Sequence, residues 1–70
     1  VQTSAKKLGR NIKKLRAKHR ISQEELAYLA KIKLSNLAKL EGGFNSNPTL
    51  QTLTAIAKVL TKGSIDALLK

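Results

Sequence analysis

Lys31, Lys33, Ser35, Asn36 and Lys39 crowd one short stretch of a chain in which eleven of the fourteen Lys and Arg precede residue 40. Ammonium, guanidinium, hydroxyl and amide groups at this density do one kind of chemistry well. They neutralise and hydrogen-bond an extended anion. The early bases are Lys6, Lys7, Arg10, Lys13, Lys14, Arg16, Lys18, Arg20, Lys31, Lys33 and Lys39; only Lys58, Lys62 and Lys70 follow. Against them stand four acids, for a formal net charge of +10 and a pI near 10.5. Nucleic acid, an anionic membrane and an acidic protein all fit such a field.

Other chemistries have little to work with. Cysteine is absent and His19 is the sole histidine, so no ligand spacing for a metal can be read. The acids are Glu24, Glu25, Glu41 and Asp66, and no nucleophile stands with a base or an oxyanion site. Gly42-Gly43 reads as a helix end rather than a phosphate-cradling loop. The expectation is no enzyme, no metal and no cofactor. No apolar stretch approaches a membrane span and no signal-peptide pattern is legible, so a soluble, cytoplasmic domain is expected.

Seventy residues make one small domain, spanning 1–70, that must hold itself together by packing helices. Residues 1–5 read as a polar lead-in. Leu8, Ile12 and Leu15 then form an apolar stripe at i, i+4, i+7 on a first helix otherwise covered in bases. Ser22 with Glu25 three residues on is a capping box opening a second helix, whose buried face is Leu26, Ala27 and Ala30. A third helix carries Leu37 and Leu40 and stops at Gly42-Gly43, where left-handed backbone is free of steric cost. After the loop Phe44-Asn45-Ser46-Asn47-Pro48, Thr49 caps a fourth helix with core positions Leu50, Leu53, Ile56, Ala57 and Leu60. Thr61-Lys62-Gly63 ends it, and Ser64 caps a short fifth helix with Ile65, Leu68 and Leu69. The predicted fold class is all-α, with five helices.

The stretch from about 22 to 41 is the mechanical part. Apolar residues at Leu26, Ala30, Ile32, Leu37 and Leu40 fold two short helices across a tight corner at Lys31-Ile32-Lys33. Small Ala27 leaves room where they cross. That is the physical content of a helix-turn-helix, whose second helix stands proud of the body and fits a major groove. Lys31 takes the corner position that calls for left-handed backbone, and its ammonium lies beside Lys33 at the mouth of that groove.

With those residues in place, the chain resembles the lambda-repressor-like helix-turn-helix family, the Cro/repressor or XRE-type regulators. The resemblance is carried by Leu8-Gly9-Arg10-Asn11-Ile12-Lys13-Lys14-Leu15-Arg16, Ser22-Gln23-Glu24-Glu25-Leu26-Ala27, Leu37, Leu40-Glu41, Gly43, Asn47-Pro48-Thr49-Leu50, Leu53, Ile56-Ala57-Lys58 and Ser64-Ile65-Asp66. It implies a compact five-helix domain that binds double-stranded DNA, usually as a homodimer. It further implies that Gln23 holds a phosphate and braces the reading helix. Leu34, Ser35, Asn36 and Lys39 would face base edges or flanking phosphates, and the loop at Phe44 and Asn45 would offer backbone N–H groups to phosphate. Arg16 and Glu41 match a structural ion pair between the first and third helices. The chain departs from the family's pattern where Lys31 replaces a turn glycine, where Lys33 replaces a Ser or Thr cap, where Leu34 replaces a polar reader and where Thr61-Lys62-Gly63 has one residue more than the usual link.

Each sharp reading has a plain counterpart. The first-helix bases, Ser35, Asn36 and Lys39 also read as solvated surface. Leu34 lies about 60° around the helix from Leu37, so it is either a flank of the core or an apolar contact for a thymine methyl. His19 reads as a helix-end cation near a carbonyl terminus. Tyr28 and Phe44 are too few and too separated to stack a single strand, and Phe44 is expected to pin its loop. The function expected is a sequence-specific DNA-binding transcriptional regulator, a repressor with the third helix in the major groove. The alternative is a protein-interaction module, such as an antitoxin binding a toxin partner through a retained helix-turn-helix.

Overall fold

The computed structural model describes residues 5–44 and 48–69. Five helices follow one another, α1 (Ala5–Lys18), α2 (Gln23–Ala30), α3 (Leu34–Glu41), α4 (Leu50–Leu60) and α5 (Ile65–Leu69), with no strand among the described residues. Helix α1 already includes Ala5, the last residue of the expected lead-in.

Three hydroxyls start helices as expected. Ser22 Oγ accepts the Glu25 N–H at 3.0 Å, Thr49 Oγ1 accepts that of Thr52 at 3.1 Å, and Ser64 Oγ accepts that of Ala67 at 3.3 Å. Caps of this kind contribute about 1 kcal/mol each.

Helix ends follow one recipe three times. Ile21 N–H donates to Arg16 O while Arg20 N–H donates to Ala17 O; Ile32 and Lys31 do the same to Ala27 and Tyr28; Phe44 and Gly43 to Lys39 and Leu40. Each crossed pair is a Schellman motif, and the residue inside it is left-handed: Arg20 and Lys31 at φ 58°, Gly43 at φ 80°. The left-handed corner expected at Lys31 is therefore present, and a second stands at Arg20. The apolar residue that follows each, Ile21, Ile32 or Phe44, is the usual companion of the motif. Lys62 adds a further non-glycine residue at φ 54°.

One core joins all five helices. Ile12, Leu26, Leu37, Leu40, Ile56 and Leu68 are its largest fully buried side chains, each contributing about 2 kcal/mol by leaving water. Leu50 is a correction. Expected in the core of α4, it is 69% exposed, because it sits at the helix's first residue, turned away from the core towards an open groove. Leu53 is half-buried against the core.

Two long-range polar ties close the bundle. Asn11 Nδ2 donates to the Leu68 carbonyl at 2.8 Å, joining α1 to α5. His19 Nε2 lies 2.8 Å from the carbonyl of Leu60, so the carbonyl terminus it meets is that of α4.

Candidate nucleic-acid interface

Helix α3 is set by its contacts with α1. Arg16 Nε reaches Glu41 Oε2 at 2.9 Å, Arg16 Nη2 reaches Glu41 Oε1 at 3.1 Å, and Nη1 donates to the Ile21 carbonyl at 3.1 Å. The arginine thus holds the end of α3 and the loop opening α2 at once, and it is not one of the bases available to an outside anion. Gln23 Nε2 joins the cluster, donating to Glu41 Oε1 at 3.3 Å. The expected ion pair is present, and the glutamine at the start of α2 is oriented by the same carboxylate.

Gly9 allows the close approach. A Cβ there would stand 2.5 Å from the Leu40 carbonyl oxygen and 2.6 Å from that of Glu41. Only a residue without a side chain lets α1 rest directly on the last carbonyls of α3.

Held this way, α3 turns Leu37 and Leu40 inward and leaves Ser35, Asn36, Ala38 and Lys39 exposed. Ser35 and Lys39, four residues apart, share one outward face. Asn36 stands about 100° further round and lines the groove against α4 rather than joining them. Leu34 is 42% exposed and keeps an apolar face in solvent rather than packing on the core. Lys33 occupies the cap position of α3 with extended backbone and gives no side-chain capping hydrogen bond. The positive end of α3 therefore keeps its own partial charge, with the exposed Lys31 and Lys33 beside it.

The far end of α3 corrects one expectation. The N–H groups of Gly43 and Phe44 donate to Leu40 O at 3.2 Å and Lys39 O at 2.9 Å, so the cap uses them and neither is offered to phosphate. What Phe44 presents is its ring, 85% exposed and laid over the Cα of Gly42. Asn45 lies outside the described residues. Lys6 and Arg10 of α1 come close to this end, around Glu41 and Gly42, which spacing along the chain could not reveal.

The basic stripe of α1 is real as a surface: Lys6, Lys7, Arg10, Lys13, Lys14 and Lys18 are all exposed. Among the described residues no cluster of His, Asp or Glu is placed to hold a metal ion, and no helix is long and apolar enough to cross a membrane.

A family model described as helix-turn-helix matches residues 12–68. The crystal structure of the restriction-modification controller protein C.AhdI from Aeromonas hydrophila superposes with a TM-score of 0.84 at 28% identity, over 91% of this chain and 94% of that one. Hydroxypropylphosphonic acid epoxidase from S. wedmorenis gives a TM-score of 0.83 at 28% identity, over 100% of this chain but only 36% of the enzyme. The likeness to the enzyme is thus confined to about a third of it. No curated protein matches the sequence significantly.

Proposed function

The chain belongs to the lambda-repressor-like helix-turn-helix family and is a DNA-binding transcriptional regulator, and from that premise we propose that it is a sequence-specific repressor that lays α3 in the major groove as a homodimer, in the cytoplasm. The observation that carries this reading is the outward face of α3. Ser35 and Lys39 stand exposed on a helix whose angle is set by Arg16, Glu41 and Gly9. Base edges are read by hydrogen bonds and apolar contacts at such a face, and each good contact is worth about 1–3 kcal/mol of discrimination.

In this proposal Ser35 and Lys39 read bases or the phosphates beside them, Leu34 meets a thymine methyl, and Asn36 reaches the groove wall. Gln23, pre-oriented by Glu41, holds a phosphate at the start of α2. Lys31 and Lys33 neutralise phosphates at the opposite lip, while Phe44, Asn45, Lys6 and Arg10 serve the far end of α3. The remaining α1 bases add affinity without sequence preference. The restriction-modification controller, alike over nearly its whole length, supports a controller role of that kind.

Selection of bound sites from random duplexes tests the reading. A two-fold symmetric consensus, bound at least a thousandfold better than random duplex, is the expected result, on the order of the specificity usual for such regulators. Equal binding to all duplexes would overturn it.

A further inference from the structure

Between α4 and the corner joining α2 to α3 runs a groove that overlaps only in part with the surface proposed to meet DNA. Its floor is apolar: Ile32, Ala55 and Val59 pack against the core but stay half-open. Leu29 and Leu50 form its two edges, 48% and 69% exposed. An apolar floor between two exposed leucine edges gives a helix with one apolar face a place to bury it.

The rim decides what docks. Lys31, Lys33 and Lys58 line the groove, and among the described residues no acid does. A duplex can use a single apolar side chain against a thymine methyl, but its phosphates gain nothing from a groove with an apolar floor. A small ligand would bury too little of itself, since the groove is open to solvent and enclosed sites cover most of their ligand. A second copy of this chain is a poor match for three lysines, because it holds only four acids and Glu41 is already engaged by Arg16; the proposed homodimer would use another face. From Leu50 to Val59 the α4 wall runs about 14 Å, close to two and a half helical turns. We propose that the groove takes a short amphipathic helix from an acidic partner protein, its apolar side on Ile32, Ala55 and Val59 and its carboxylates on the three lysines, and that this helix and DNA exclude one another. Helix-in-groove recognition of this sort reads anchors at i, i+3, i+4 and i+7.

The exclusion follows from shared residues. Lys31, Lys33 and Asn36 belong to both the groove and the surface proposed to meet DNA. That half rests on the DNA-binding reading; the peptide site itself does not.

The probe is a labelled synthetic peptide of about three turns, with leucines at the anchor spacing and glutamates on both flanks. Its control has the same composition with the leucines taken off that spacing. In fluorescence anisotropy without DNA, the periodic peptide binds at least about tenfold more tightly than the control, a difference of about 1.4 kcal/mol. Its amide NMR shifts fall on Leu29–Lys33 and Leu50–Val59. Leu50→Asp and Lys58→Gln, both at exposed positions compatible with folding, each weaken it severalfold, whereas Lys13→Ala does not. Equal binding of the two peptides, no binding of either, or shifts on α1 would overturn the site. In the second arm the periodic peptide releases a labelled duplex of the selected site from the protein. A ternary complex would overturn the exclusion, and a duplex that never binds before peptide is added would count instead against the DNA reading.

Discussion

Arg16 and Glu41, twenty-five residues apart, meet side by side through two hydrogen bonds of 2.9 and 3.1 Å, with the glutamate side chain only 4% exposed and the arginine 18%. A pair this enclosed is a junction rather than a surface decoration. Every element that would touch DNA is referred to it: α1 through Arg16, α3 through Glu41, and the start of α2 through Gln23.

Glu41→Ala is therefore expected to cost about 3 kcal/mol, because it strands a largely buried guanidinium. Chemical denaturation of the free protein measures it. A loss below about half a kcal/mol would mean the pair is worth no more than an exposed one.

Gly9→Ala puts a methyl against two backbone carbonyls that no rotamer can move. The expected cost is about 1–3 kcal/mol, with weaker duplex binding than the stability loss explains, since α1 must lift away from α3. A variant as stable and as tight as the parent would show that the two helices separate without effect.

Lys31→Gly should stabilise the free domain by up to about 1 kcal/mol. The left-handed Cβ strain is removed, less the extra freedom glycine has when unfolded. The slope of log K against log salt should shrink by about one per subunit if the ammonium neutralises a phosphate. Thermal melts and a salt titration separate the two. Destabilisation would contradict the left-handed corner, and an unchanged slope would remove Lys31 from the interface.

Lys39→Ala and Ser35→Ala should each weaken the selected site by about 1–3 kcal/mol, and reduce its preference over random duplex only where the side chain reads a base. Lys13→Ala should weaken all duplexes alike. For the proposed dimer, about six to ten neutralised phosphates imply a salt slope near −5 to −9. Competition titrations at two salt concentrations check the whole set, and a Lys39→Ala protein indistinguishable from the parent would take α3 out of the groove.

What is local in this protein is written locally. Ser22, Thr49 and Ser64 open helices because the donor each satisfies lies three residues on. The apolar pairs Leu8 and Ile12, Leu26 and Ala30, Leu37 and Leu40, Ile56 and Leu60, and Ile65 and Leu68 are each spaced by about one turn, so five helices and their inward faces are legible in the sequence. Even the unexpected left-handed Arg20 has a signal in hindsight: like Lys31 and Gly43, it is followed by an apolar residue, the mark of a Schellman end. Only family resemblance pairs Arg16 with Glu41 from the sequence, for nothing in the residues between them points from one to the other. The tertiary structure alone decided that Gly9 abuts the carbonyls of Leu40 and Glu41, that the N–H of Phe44 is already used, that Leu50 faces a groove, and that Asn36 turns towards α4 while Ser35 and Lys39 turn outward. Each of these depends on where one helix lies against another. Helical periodicity says which residues share a face; only the packing of separate helices says what that face meets.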